Sequence, residues 1–154
     1  MHNVLILVGT ETGNAEYIAT ELAAALEFEG LESSIVDMFD ATPALVREHA
    51  WVIICTSTHG DGDVPGNAER LLAALRQERP DLGHVRFAVC ALGDHLYDPY
   101  FCEAGKTFES LFLELGATEV IDRFEIDGEP DTAQIEGAMA WALDVAAALQ
   151  GVPA

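Results

Sequence analysis

The chain predicts a doubly wound α/β sandwich, a parallel sheet covered by helices on both faces. Five short apolar runs rich in branched residues alternate with stretches of helical spacing. The alternation is regular along the chain, as right-handed βαβ units require. The length of 154 residues, half of them apolar and 22% charged, is one domain's worth of chain with apolar surface enough for a full core.

Val4 to Val8 is an unbroken apolar run that suits a strand buried on both faces. The polar turn Gly9 to Gly13 follows. Then Ala15, Ile18, Ala19, Leu22, Ala23 and Leu26 recur at three- and four-residue spacing, a helix with one buried face that Gly30 ends. Ser34 to Asp37 is a short second strand. Residues 42–49 form a second helix, with Thr42 as its cap and Pro43 at its first position. Trp51 to Cys55 is a third buried strand, followed by the loop Thr56 to Gly66 and a helix from Asn67 to Arg76. Val85 to Ala91 is the fourth strand. After the loop Leu92 to Phe101 comes a helix from Glu103 to Leu115, stopped by Gly116. Glu119 to Ile126 reads as the fifth strand and Thr132 to Gln150 as the last helix, capped by Asp131 or Thr132. No linker, repeat or low-complexity block divides the chain, so residues 1–154 are expected to form a single domain.

The net charge of −20, from 27 acids against seven bases, argues against binding to nucleic-acid backbones or docking on an anionic membrane. Acids outnumber bases in both halves of the chain, so the excess is not a tail. Either the surface is acidic for solubility in salt, or it faces basic partners. Three cysteines, Cys55, Cys90 and Cys102, with no C-x-x-C pair, fit an intracellular thiol protein better than a disulfide framework or zinc site. No apolar run approaches a membrane span, and Met1-His2-Asn3-Val4 leads directly into a strand without a signal-peptide pattern. A cytoplasmic protein is expected.

Open α/β sheets bind ligands where loops leave the carboxyl ends of strands. The first such loop is Gly9-Thr10-Glu11-Thr12-Gly13-Asn14-Ala15, which opens a helix. Exposed N–H groups and the helix dipole there favour an anion. The loop has no Lys or Arg, so it is no Walker A motif, and Glu11 fits a dinucleotide pyrophosphate turn poorly. Hydroxyls and amides without a counter-charge suit one terminal phosphate. Thr and Gly that simply cap and turn are the plain alternative. The second loop, Ser57-Thr58-His59-Gly60-Asp61-Gly62-Asp63, carries glycines beside an acid, which allow a peptide to flip, and an aromatic ring at its tip. Its His-x-Asp-x-Asp spacing is weak evidence for a metal, and such acids more often cap or stay solvated. The third loop, Leu92-Gly93-Asp94-His95-Leu96-Tyr97-Asp98-Pro99-Tyr100-Phe101-Cys102, holds four rings, counting His95. Tyr97 is placed to cover a flat ligand whose polar edge meets the backbone of Leu92 to His95. Alternatively, Tyr100 and Phe101 anchor the next helix.

Thr10 to Glu16, Ser57 to Gly62 and Leu92-Gly93-Asp94 through Tyr97 to Phe101-Cys102 occur in order and at matching spacing over essentially the whole chain. Together they resemble the FMN loops of the flavodoxin superfamily, in particular the FMN domains of diflavin reductases such as the sulfite reductase flavoprotein and the short MioC-type flavodoxins. The resemblance implies a flavodoxin-like three-layer sandwich with strand order 2-1-3-4-5. It implies FMN as cofactor, with Thr10, Glu11, Thr12, Gly13, Asn14 and Ala15 around its phosphate. Ser57 and Thr58 lead into the second loop, where His59 joins Tyr97 in flanking the ring and Gly60-Asp61, before Gly62, supplies the peptide that bonds flavin N5. Leu92, Gly93 and Asp94, with Cys102, border the pyrimidine edge, and His95 and Phe101 complete the set of cofactor-binding residues that the resemblance implies. Many relatives have Tyr-x-x-Phe-Cys where this chain has Tyr97-Asp98-Pro99-Tyr100-Phe101-Cys102, one residue longer.

The expected function is a one-electron carrier shuttling low-potential electrons between a reductase and an acceptor protein, both with basic docking surfaces. The donor would be of the flavodoxin/ferredoxin reductase type. The carrier is expected to be monomeric and to bind neither nucleic acid nor membrane. Negative charge on reduced flavin is disfavoured beside a phosphate in so acidic a chain, so full reduction needs a low potential. A stand-alone carrier without an FAD and NADPH module is expected. The competing readings are a flavin-dependent quinone or azo reductase and an assembly factor that holds FMN incidentally. A response-regulator receiver is set aside, because Gly9-Thr10 and Thr56-Ser57 stand where it needs acids.

Overall fold

A computed structural model describes residues 3–10, 13–58, 63–94 and 101–151. The strands are β1 (Asn3–Gly9), β2 (Glu32–Asp37), β3 (Trp51–Thr56), β4 (Arg86–Gly93), β5 (Thr118–Glu119) and β6 (Phe124–Asp127). The helices are α1 (Asn14–Phe28), α2 (Pro43–Arg47), α3 (Glu69–Glu78), α4 (Glu103–Glu114) and α5 (Thr132–Leu149). The sheet is parallel throughout, in the order β2-β1-β3-β4-β5, with β6 also paired to β4. This is the expected strand order.

Alternation along the central strands sends side chains to two cores. Leu5, Leu7, Val52, Ile54, Phe87 and Val89 pack under the α2, α3 and α4 side. Val4, Ile6, Ile53, Cys55, Ala88 and Cys90 pack under α1 and α5 on the other. All six residues of β3 are buried, as are Val4 to Gly9 of β1. Each fully buried Leu, Ile or Phe contributes about 1.5–3 kcal/mol, so the interior strands anchor the rest.

The local signals act as expected at most ends. The Thr42 hydroxyl accepts from Leu45 N–H at 3.1 Å with Pro43 at the first turn, and Asp131 accepts from Gln134 N–H at 2.8 Å to cap α5. The third helix differs. Gly66–Ala68 is a 3-10 turn, and α3 begins only at Glu69.

The fifth strand also differs: it is two segments rather than one run from Glu119 to Ile126. Phe87 pairs with Glu119 and Cys90 with Phe124, so the edge chain places residues 120–123 against Ala88 and Val89 alone. The surplus forms a bulge in the edge. The carbonyl of Asp122 accepts the Trp141 indole N–H at 3.1 Å, which fixes the bulge to α5. The apolar Val120-Ile121 pair hides this break in the sequence, because both residues pack against the α5 core as strand residues would.

The three cysteines are free and buried. The Cys55 thiol donates to Ala15 carbonyl at 3.3 Å and that of Cys102 to Ala91 carbonyl at 3.3 Å. Hydrogen bonding to Cys55 and burial hold Cys90 well above the usual thiol range. Burial, and next the Glu125 charge, push Cys102 up to about 12.

Gly93 closes β4 against the entry to α4. A Cβ there would lie 2.5 Å from the Cys102 nitrogen and 3.1 Å from its Cα. Backbone cannot yield as a side-chain tip can, so Gly93→Ala should cost about 1–3 kcal/mol as overpacking does. Urea unfolding of the variant is the check, and the midpoint should fall with the slope unchanged.

Candidate functional site

The carboxyl ends of β1, β3 and β4 stand side by side, because β1 pairs with β3 and β3 with β4. From β1 the chain crosses to β2 on one side, and β3 begins on the other. Such a reversal leaves a crevice above the strand ends.

The loops that border it are tied together. Ser57 donates its N–H to the Gly9 carbonyl at 2.9 Å and its hydroxyl to the same oxygen at 3.3 Å. Thr10 N–H donates to Asn67 Oδ1 at 2.9 Å. The amide of Asn67 in turn donates to Asp37 Oδ1 at 2.9 Å and Val8 carbonyl at 3.4 Å. Asp37 also accepts from Phe39 N–H at 2.8 Å. Thr58 Oγ1 accepts Ala104 N–H at 3.1 Å, capping α4 from a different loop. This matters because Cys102, the residue before α4, has φ 56° and gives no side-chain cap of its own.

The start of α1 is built for an anion. Gly13 sits at φ 91°, in the left-handed region, and offers no side chain to the first-turn N–H groups. Nothing lies within 4 Å of where its Cβ would be. Thr10 Oγ1 accepts Gly13 N–H at 2.9 Å, which shapes the turn and leaves the hydroxyl proton to be given elsewhere. Uncapped N–H groups, a free hydroxyl proton and the positive helix end fit a phosphate. That donor set matches the phosphate end of FMN.

Of the residues singled out in the sequence, Thr10, Gly13, Asn14, Ala15, Ser57, Thr58, Leu92, Gly93, Asp94, Phe101 and Cys102 come to this one edge. Cys102 turns its thiol into the core, so its backbone is what remains at the edge. Glu11, Thr12, His59, Gly60, Asp61, Gly62, His95 and Tyr97 lie outside the described residues, as do Asp98 and Tyr100. Asn67 and Asp37 escaped the sequence reading. They brace the first loop from 57 and 27 residues away, and only the Pro65-Gly66-Asn67 turn hints that Asn67 does more than open a helix. Among the described residues no group of three or more His, Cys, Asp or Glu is placed to hold a metal ion.

Behind the third loop lies a carboxylate cluster. Arg123 donates to Glu109 in a short ion pair and to Glu125 at 2.9 Å. Glu119 stands beside Glu109, and its Oε2 is buried without a hydrogen-bond partner. Burial first, then hydrogen bonding to Glu109 and its charge, raise the Glu119 carboxyl from 4.5 to about 8, with Arg123 opposing.

A doubly wound sheet with an anion-binding helix start and tied loops over its switch point defines a mononucleotide-binding α/β protein. The flavodoxin family profile matches residues 6–141, and the chain belongs to the flavodoxin family. It is similar to a cysteine-to-serine mutant of flavodoxin from Pseudomonas aeruginosa, at 32% identity and a TM-score of 0.85, over 97% of this chain and 99% of that one. NADPH oxidoreductase A of Dictyostelium discoideum is 39% identical over 82% of this chain, and the sulfite reductase [NADPH] flavoprotein alpha-component of Bacillus subtilis is 35% identical over 88%. This chain spans only 20% and 23% of the length of those two relatives. The flavodoxin family binds FMN, and the uncapped start of α1 in this chain fits its phosphate.

The Glu119 carboxyl generates a pH prediction. The native state keeps a proton that the unfolded chain releases near pH 4.5, so stability falls as pH rises from about 4.5 to about 8 and then levels. Glu119→Gln cannot ionise, and should flatten that fall and be the more stable protein above pH 8. Urea midpoints measured across the range test it; parallel profiles for both proteins would contradict the assignment.

Proposed function

We propose that the protein passes single electrons between a reductase and an acceptor protein, with FMN seated across the three tied loops. The uncapped start of α1 beside the Thr10 hydroxyl is the observation that supports the seat most directly. In this reading the backbone N–H groups of residues 11–15, with the Thr10 and Thr12 hydroxyls, hold the phosphate. His59 and Tyr97 flank the ring and keep water from its faces. The Gly60-Asp61 peptide and the backbone of Leu92, Gly93 and Asp94 orient its polar edges. Bound FMN supplies reversible one-electron chemistry. The protein's part is to bind, to orient and to exclude water.

Partner recognition follows from charge. Asp63, Asp127 and Glu129 are exposed near the carboxyl edge. Glu125, paired with Arg123, and Asp131, which caps α5, add to the negative charge of the same edge. Acids at this edge steer a basic docking surface toward the ring. The contact is small and transient, as electron-transfer contacts are.

Thr12→Val should weaken FMN by about 1.5–3 kcal/mol, as loss of a hydrogen bond to a charged oxygen does, and leave riboflavin affinity unchanged. Equal weakening of both ligands, measured by fluorescence titration, would place Thr12 away from the phosphate. A second test reverses charge. Asp127→Lys with Glu129→Lys should slow electron transfer with a basic reductase and flatten its salt dependence. Glu27→Lys with Glu29→Lys, at the far end of α1, should not. Stopped-flow rates that drop alike for both pairs would make the acidity a general field rather than a docking device.

A further inference from the structure

Seven bases serve a chain with 27 acids, and three of the seven line one groove. The groove runs between α3 and α4, has a volume of about 490 Å³, and is walled by Arg76, Arg79, Lys106, Thr107 and Ser110. Glu103 and Glu114 also line it, one at each end of α4. Three bases elsewhere have structural partners. Arg70 lies over the Phe39 ring at 5.1 Å, Arg86 donates to the Leu149 and Ala148 carbonyls at 2.8 Å each, and Arg123 binds Glu109 and Glu125.

The groove bases are different. Among the described residues the side chains of Arg76 and Lys106 make no ion pair or hydrogen bond. With nearly four acids per base, that is not for want of partners. Arg76 in the last turn of α3 suits the helix dipole, but Lys106 lies near the start of α4, where a cation opposes it. Arg79 follows α3 at φ 45°, ψ 59°, in the left-handed region where glycine is the ordinary helix stop. An arginine kept there at a conformational cost supplies something glycine cannot. Its side chain is half exposed and reaches Glu114 at 3.4 Å.

We propose that this groove binds a small phosphate-bearing anion, a diphosphate or a phosphate monoester, at a site separate from the FMN loops. Guanidinium forks match phosphate oxygens, and Lys106 adds a point charge. The three cations outnumber the two carboxylates at the groove's ends, so the groove keeps a net positive charge, which a phosphate monoester or a diphosphate can meet. The Ser110 hydroxyl adds a donor, and the flanking Glu103 and Glu114 set the length of anion the groove accepts. The volume lies within the usual range of ligand pockets.

The test titrates the FMN-loaded protein with pyrophosphate, and separately with AMP, while amide NMR shifts and flavin absorbance are followed at constant ionic strength. Saturating shifts around Arg76 and Lys106 with an unchanged flavin spectrum are expected. The stronger binder of the two probes tells free phosphate from an ester source. Arg76→Gln with Lys106→Gln should lose at least about tenfold in affinity while FMN content and Tm stay as they were. Arg79→Gly should weaken pyrophosphate without lowering Tm. Shifts that chloride reproduces, shifts confined to residues 10–15, or equal affinity in the double variant would overturn the proposal.

Discussion

The crevice exists because the chain leaves β1 toward one edge of the sheet and returns to β3 on the other side. That reversal parts the α1 side from the α2, α3 and α4 side, and no loop need fill the gap. Everything chemical at the carboxyl edge depends on holding three loops to this frame. The hold is made mostly by backbone and by short polar side chains. Ser57 reaches Gly9, Asn67 reaches Thr10, and Thr58 caps α4 through Ala104. Each bond crosses from one loop to another element, so displacing one strand end displaces the rest of the edge.

Charge is distributed to suit that edge. The α1 start collects uncapped N–H groups and no base, which suits a phosphate in a chain of net −20. The bases are placed with economy: one seals the C-terminal end of α5 and one gathers the carboxylates behind the third loop. Burial and the neighbouring Glu109, against the pull of Arg123, raise the Glu119 carboxyl to about 8, so that cluster carries less negative charge than its composition suggests. The thiols are buried, and the two whose ionisation is displaced are pushed away from the thiolate. Neither Cys90 nor Cys102 therefore offers a thiolate to a flavin at this edge.

The fold was legible because its signals are local and repeated. Buried strands such as Trp51 to Thr56 are continuous apolar runs, and Thr42-Pro43 and Asp131 mark helix starts by their own chemistry. The split of the edge strand was not legible, since Val120 and Ile121 look like strand and only the register with β4 shows the surplus residues. The three loop motifs were legible in order, which is how the family resemblance arose. Its bracing was not. Asn67, Asp37 and the role of Thr58 as a cap depend on contacts between residues 30 to 57 positions apart, and spacing carries no trace of those. The Arg76, Arg79 and Lys106 groove was invisible for the same reason, because two helices from different βα units supply its walls.

The central claim is that this edge holds one FMN and delivers electrons one at a time. A stepwise anaerobic reduction of the purified holoprotein, followed by absorbance against potential, tests it most directly. The account predicts two resolved one-electron steps, the second at low potential because the acidic surroundings disfavour a further negative charge. A single two-electron step, or a bound chromophore that is not FMN, would contradict it.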